Sequence, residues 1–264
     1  MDLKVKDKIV FISGSTAGIG YATAQRFLRE GAQVVINGRT TANVNKAVNE
    51  LKSSIDNSKV SGIAADFSKV DDINRLLKEL PEVDILINNT GIFEPKAFKD
   101  ISDKDWLRFF EINVMSGIRL ARHYFPKMLA KNWGRILFIS SESGVFIPDE
   151  MIHYGMTKTA QIAVSRGLAE LTKGSNVTVN SILPGPTKSK GVNEFIEELA
   201  KGDHKTVDEV EEDFFKNMCP TSLIERFASV EEVADTIVYY SSPLASATNG
   251  ASIRVDGGLI RSIL

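Results

Sequence analysis

Tyr154 and Lys158 stand four residues apart in HYGMTK, residues 153–158. On a helix that spacing puts both side chains on one face, one turn apart. A phenol ordinarily ionises near pH 10, about three units too high for efficient proton exchange at neutral pH. A fixed ammonium nearby favours the phenolate and can close much of that gap. The pair therefore has the makings of an acid–base centre. His153 is adjacent in sequence but points about 100° away on a helix, so it need not share the site.

A second stretch could hold a nucleotide. KIVFISGSTAGIGYATAQRFL reads as strand, glycine-rich turn and helix. Gly14, Gly18 and Gly20 permit a tight backbone and close approach of a phosphate, and the helix behind them offers free N–H groups at its positive end. The hydroxyls of Ser15 and Thr16 could add donors to a pyrophosphate. The gap from Gly14 to Gly18 is wider than in the common dinucleotide fingerprint, so the loop is longer. At the end of the next strand, an acidic residue would bind a ribose 2′-hydroxyl and an arginine would suit a 2′-phosphate. The chain reads VVINGRT, with Gly38 in the acidic position and Arg39 after it. A guanidinium grips phosphate in bidentate fashion. The pattern favours NADP(H) over NAD(H).

These residues need a scaffold. Candidate strands are Ile9–Ile12, Val34–Asn37, Gly62–Ala65, Ile85–Asn88, Ile136–Ser140, Val177–Leu183 and Ser252–Val255. Several are apolar on both faces, as strands buried in a parallel sheet must be. Helical patterns lie between them: one behind the glycine turn, capped by Gly31, a longer one from Asp103 to Lys131, and one from about Met151 to Lys173. Alternating strands and helices imply right-handed crossovers and an α/β fold, a doubly wound parallel sheet of about seven strands flanked by helices. The whole chain, residues 1–264, reads as a single Rossmann-type domain. Residues 186–222 break the rhythm with lysines, the acidic run DEVEED and CPTS, and read as a helical excursion.

Composition excludes several functions. The chain has 264 residues, 43% hydrophobic and 25% charged, with a net charge of −2. No global basic field draws nucleic acid or a membrane surface. One cysteine, Cys219, excludes a disulfide within the chain. With His123, His153 and His204 far apart, no zinc site is expected. The N-terminal apolar run is too short for a signal-peptide core, and no stretch approaches a membrane span. A cytoplasmic location is expected. No histidine is placed by motif to activate a serine, which disfavours an acyl-enzyme mechanism.

Taken together, the chain resembles the short-chain dehydrogenase/reductase family over nearly its whole length. SGSTAGIG (13–20) stands for the family's TGxxxGxG and NNTG (88–91) for NNAG. Asn113 lies in the long helix, ISSES (139–143) is the serine strand, and YGMTK (154–158) is YxxxK. PGPT (184–187) and RVDGG (254–258) follow in order. Ser13 keeps the hydroxyl of the family's usual threonine, and Thr90 replaces an alanine beside the cofactor loop.

The resemblance implies an oxidoreductase that interconverts a carbonyl and a secondary alcohol with NADP(H). Ser141, thirteen residues before Tyr154, would hold the substrate oxygen and Tyr154 would exchange a proton with it. Lys158 would bind the nicotinamide ribose and lower the tyrosine pKa. Asn113 would bend its helix and hold a water linking Lys158 to solvent. Asp66 would accept from the adenine amino group with Phe67 alongside, and Asn89 and Gly91 would line the adenine-side ribose. Pro184, Gly185 and Thr187 would touch the nicotinamide, and Ile19, Asn37 and Thr40 complete the cofactor set. Ser143 could contact substrate, whereas Ser140 points into the sheet. The partner would be a small carbonyl or alcohol. A homotetramer or homodimer would form through the helices carrying Asn113 and Tyr154, where Ala160, Ala163 and Gly167 allow close packing. Two alternatives stay open: a 3-oxoacyl-carrier-protein reductase, docking its carrier on Arg119, Arg122, Lys127 and Lys131, and a non-catalytic NADP(H)-binding sensor or scaffold.

Overall fold

A computed structural model describes residues 1–202 and 205–263 of the chain; His204 lies outside the described residues. The strands are β1 (Ile9–Ile12), β2 (Gln33–Gly38), β3 (Lys59–Ala64), β4 (Ile85–Asn88), β5 (Gly134–Ile139), β6 (Val177–Pro184), β7 (Thr187–Lys188), β8 (Ala228–Ser229) and β9 (Ser252–Val255). Seven of them form one sheet in the order β3-β2-β1-β4-β5-β6-β9. Every neighbouring pair in it is parallel. The short β7 and β8 pair with each other outside it.

Parallel strands need crossovers, and the helices supply them. They are α1 (Gly18–Arg29), α2 (Thr41–Ser54), α3 (Val70–Glu79), α4 (Asp103–Phe109), α5 (Ser116–Ala130), α6 (Ile152–Glu170), α7 (Lys190–Gly202), α8 (Val207–Asn217) and α9 (Val230–Tyr240). β4, β5 and β6 are buried at every position, as expected of strands covered on both faces. One core layer joins Phe27 of α1, Leu51 of α2 and Ile237 of α9 to Ile12, Ile36 and Ile87 of the sheet. The opposite layer joins Leu76 of α3, Tyr124 of α5 and Ala169 of α6 to Phe11, Leu86 and Phe138. This is the Rossmann-type architecture expected from the alternation of apolar runs and helical patterns.

Two segments outside the regular alternation bear on the site. The pattern from Asp103 to Lys131 is not one continuous α-helix. A π-helical turn at Phe110–Met115 separates α4 from α5 and carries Asn113. The excursion at 186–222 holds α7 and α8 and is helical as expected; its Ile196, Val210 and Phe215 form an apolar cluster completed by Phe227 and Leu259 from beyond it. Phe214 stacks on Phe227 with ring centroids 5.0 Å apart. Among the described residues, no helix is long and apolar enough to cross a membrane.

Candidate active site

The strand order reverses between β1 and β4, and a crevice opens beyond their C-terminal ends. The glycine turn follows β1 and Asn89–Gly91 follows β4, so both arrive at that crevice. Their contact is close. A Cβ on Gly14 would lie 3.1 Å from Thr90 Oγ1, and one on Gly20 would lie 2.6 Å from Asn89 Nδ2. Gly14 and Gly18 sit at φ +60° and +59°, in the left-handed region that favours glycine. Ser13 joins the two loops: its Oγ accepts from the backbone N–H groups of Asn89 (2.9 Å) and Thr90 (3.0 Å).

One of the two hydroxyls expected to meet a pyrophosphate is already engaged within the turn. Ser15 is fully buried. Its hydroxyl donates to Ile12 O at 2.6 Å and accepts from Asn37 N at 2.9 Å. The expectation that Ser15 donates to a pyrophosphate is therefore corrected, because that proton closes the turn. Asn37 is likewise structural in its contacts, accepting from Gly14 N and donating to Ile63 O and Ala65 O. What remains for an anion is the start of α1, which has no side-chain cap and no acid in its first turn.

Beyond β2, a Cβ on Gly38 would lie 2.6 Å from Thr16 Cγ2, so this backbone has no room for an aspartate. Arg39 and Thr40 are exposed. The Thr40 hydroxyl caps α2 by accepting from Asn43 N. The Asp66 carboxylate accepts from Ser68 N and Oγ, and those bonds with the Lys69 and Arg39 charges lower its pKa despite burial. Phe67 is buried in the core layer of α3 and α5. The fit to a nicotinamide nucleotide is good: a glycine turn in the left-handed region leads into an uncapped helix start, and Arg39 is exposed just after β2.

A cleft of about 190 Å³ lies at the other end of this crevice. Its lining brings together Ile19, Asn89, Gly91, Ser141, Tyr154, Lys158, Pro184, Gly185 and Thr187. The Thr187 hydroxyl donates to Gly185 O at 2.8 Å. Lys158 is buried, and its Nζ donates to Ile139 O at 2.9 Å and lies 5.5 Å from the Tyr154 ring centre. Asn113 ties three segments together. Its Oδ1 accepts from Ile92 N at 2.8 Å, and its Nδ2 donates to Ile92 O and to Thr157 Oγ1, each at 3.0 Å. Its own carbonyl accepts from Gln161 Nε2 at 2.6 Å.

The electrostatics differ from a simple phenol–ammonium pair. Burial raises the Tyr154 pKa, a nearby Glu142 charge raises it further, and a hydrogen bond with Ser141 opposes both. The expected lowering of the Tyr154 pKa is therefore corrected among the chain's own groups, because burial of the phenol and the Glu142 charge raise it. Burial also pulls Lys158 down to about 8, against the opposing pull of Glu142. Glu142 itself is raised by burial. It is the fourth residue of ISSES, next to Ser141, and the sequence alone assigns it no role. Thr157 and Gln161 were missed too. They follow Tyr154 and Lys158 at helical spacing, which was the available signal.

His153 is fully buried against Phe109, with ring centroids 4.1 Å apart, and does not line the cleft. Ser140 is buried and lines the cleft beside Ser141, and its hydroxyl donates to Lys158 O of α6 at 2.8 Å rather than pointing into the sheet. Among the described residues, no group of His, Cys, Asp and Glu is arranged to hold a metal ion.

Comparison with known proteins agrees with this geometry. The family model for short chain dehydrogenases matches residues 8–200. The uncharacterized oxidoreductase YvrD of Bacillus subtilis is 52% identical, with all of both chains covered. The 3-oxoacyl-[acyl-carrier-protein] reductase FabG of Aquifex aeolicus is 30% identical, over 98% of this chain and 100% of its own. The crystal structure of L-sorbose reductase from Gluconobacter frateurii, complexed with NADPH and L-sorbose, matches with a TM-score of 0.93 at 29% identity, covering 100% of both chains. The chain belongs to the short-chain dehydrogenase family and is an oxidoreductase of Rossmann fold.

Proposed function

We propose that the chain is an NADP(H)-dependent oxidoreductase that interconverts a small carbonyl compound and its secondary alcohol, with Tyr154 as acid–base. The observation that carries this reading is the single cleft that brings Ser141, Tyr154 and Lys158 to the end of the glycine-loop crevice. NADPH bound along that crevice supplies the hydride, and NADP⁺ accepts it in the reverse direction. Tyr154 gives its phenolic proton to the oxygen that becomes the alcohol, and Ser141 holds that oxygen. Lys158 keeps a positive charge beside the phenol and binds the ribose. Asn113 positions α6 through Thr157 and the loop after β4 through Ile92.

The absence of an acid at Gly38 and the exposed Arg39 support NADP(H) over NAD(H). Residues 186–222 form the outer wall of the substrate pocket, and their independent cluster lets that wall vary without disturbing the sheet. Assembly into a homotetramer or homodimer uses the open faces of α4–α6, where Leu107 and Gly167 are exposed. A cytoplasmic location suits this chemistry.

The carrier-protein reductase alternative has less support. Arg119 pairs with Glu111 and Lys131 with Asp84, while Lys127 donates to Pro81 O. The helix therefore offers an acidic carrier little beyond Arg122. The test follows NADPH absorbance with a panel of ketones, aldehydes and ketoses that includes L-sorbose. Tyr154→Phe is expected to abolish turnover and keep NADPH affinity. Arg39→Asp is expected to weaken NADPH more than NADH. Undiminished turnover in Tyr154→Phe refutes the mechanism, and a wild-type chain that oxidises NADPH with no panel member favours a binding protein without catalysis.

A further inference from the structure

The hydrogen-bond inventory around Ser141 does not match a simple donor to substrate. A serine hydroxyl has one proton and two lone pairs, and an ionised carboxylate can only accept. Ser141 donates its proton to Glu142 Oε2 at 2.5 Å and accepts from Ser143 N at 3.1 Å. The other carboxyl oxygen, Oε1, accepts from Ser143 Oγ at 3.1 Å. With Glu142 ionised, Ser141 has no proton to offer, and its remaining lone pair is engaged by its hydrogen bond with the Tyr154 phenol.

The turn holding Glu142 has little freedom to release it. A Cβ on Gly144 would lie 2.9 Å from the carbonyl carbon of Lys158, and one on Gly155 would lie 3.0 Å from Ser143 O. Thr159 Oγ1 donates to Gly144 O at 2.7 Å. The half-buried carboxyl is thus fixed behind Ser141, outside the lining of the cleft. The ionisable groups that feel its charge are Tyr154 and Lys158 on α6 and Cys219 beyond α8. Glu150 also acts on Cys219.

We propose that Glu142 is a positioning residue that sets the direction of the Ser141 hydrogen bond. Ionised, it claims Ser141's only proton; protonated from solvent, it donates to Ser141 Oγ and frees that proton for the substrate oxygen. Carbonyl reduction needs donors aimed at the developing alkoxide. The protonated state therefore supports reduction with two donors, Tyr154 and Ser141, and the ionised state with Tyr154 alone. Burial of Glu142 shifts its ionisation upward, against the hydrogen bonds from Ser141 and Ser143 that favour the carboxylate. Its charge also opposes ionisation of Tyr154, so its neutralisation acts on both donors.

This inference rests on the oxidoreductase reading, and the experiment separates the two. The first arm follows the pH dependence of kcat/KM for NADPH oxidation with the panel member turned over fastest. In the wild type, reduction is expected to fall about 100-fold to a plateau as Glu142 ionises, the loss typical of one missing oxyanion donor. In Glu142→Gln the amide donates to Ser141 at every pH, so this limb disappears. In Ser143→Ala the ionised carboxylate loses a donor, so the limb moves to higher pH. A limb unchanged in both variants overturns the proposal, as does a Glu142→Gln enzyme inactive at every pH despite intact NADPH binding. The second arm needs no turnover. The infrared band of a protonated carboxyl is followed with pH in wild type and Ser143→Ala. Persistence of a band above the ordinary carboxylate range, and further upward in Ser143→Ala, supports the proposal. A carboxyl that ionises in the ordinary range overturns it. If no panel member is turned over, the oxidoreductase reading falls, and the infrared arm still decides the state of Glu142.

Discussion

Lys158 is a buried ammonium, and it should burden the fold until pH rises enough to discharge it. Burial lowers its pKa from 10.5 to about 8. At about 1.4 kcal/mol per unit, that difference amounts to about 3 kcal/mol. The sign follows from proton counting. Between pH 8 and 10.5 the unfolded chain holds this proton and the folded chain does not, so stability rises with pH. Below pH 8 both states hold it and the full penalty is present. Lys158→Met removes the charge and this pH dependence with it. The variant also leaves Ile139 O without its 2.9 Å donor, which costs about 1–3 kcal/mol at any pH. The absolute stabilities at pH 7 are therefore a poor readout, and their difference across pH is a good one. Urea denaturation without added nucleotide is measured at pH 7 and pH 10 for both proteins. Wild type is expected to gain about 2–3 kcal/mol relative to Lys158→Met over this interval. Tyr154, whose pKa is raised, titrates with the opposite sign at still higher pH, so the interval ends at pH 10. A difference that stays flat between the two pH values refutes the buried-cation account.

Other consequences follow from the loops that meet at the crevice. Ser13→Ala strands the N–H groups of Asn89 and Thr90; a loss of roughly 2–4 kcal/mol is expected by urea denaturation, and Ser13→Thr should restore it. Gly38→Asp forces a Cβ against Thr16 Cγ2 at 2.6 Å. It should cost about 1–3 kcal/mol and weaken NADPH without gaining NADH until Thr16→Ala makes room, as read by fluorescence titration. Asn113→Ala frees the loop after β4 from its side-chain anchor, and hydrogen exchange at the Ile92 amide should accelerate by at least tenfold, since one lost hydrogen bond is worth about 1.4 kcal/mol.

Strands were legible where burial left one reading. The edges Ile9–Ile12 and Ile85–Asn88 coincide with the sequence reading, because apolar runs between turn residues fix both ends; Ser252–Val255 coincides as well, although this strand at the sheet edge is only partly buried. β2 extends one residue further on each side, to Gln33 and Gly38, because a parallel ladder can include a polar or glycine end residue. The two-residue β7 and β8 are too short to show a period. The π-turn at Asn113 has no local sequence signal, since it depends on what Asn113 binds across the fold. Ser15 illustrates the same limit within one loop. A hydroxyl in a glycine turn suggests a ligand, yet burial gives it to Ile12 O. Glu142 was invisible for another reason. Its neighbours in space, Ser141, Ser143, Tyr154 and Lys158, come from two elements that only the sheet brings together.

The contacts that hold the site are largely independent of its charges. Ser140 Oγ binds Lys158 O, Thr159 Oγ1 binds Gly144 O, and Gly144 and Gly155 set the turn at backbone distance from α6. None of these bonds involves Glu142, the Tyr154 phenol or the Lys158 ammonium. A proton can therefore leave or enter those groups while the turn and helix stay in place. Preorganised dipoles stabilise a transition state because they need no reorganisation when charge moves. In this fold the neutral hydroxyls and glycines supply the rigidity, and three ionisable groups beside them are left to change state. That division lets Tyr154 and Lys158 line the cleft, with Glu142 behind Ser141, while most contacts between turn and helix carry no charge.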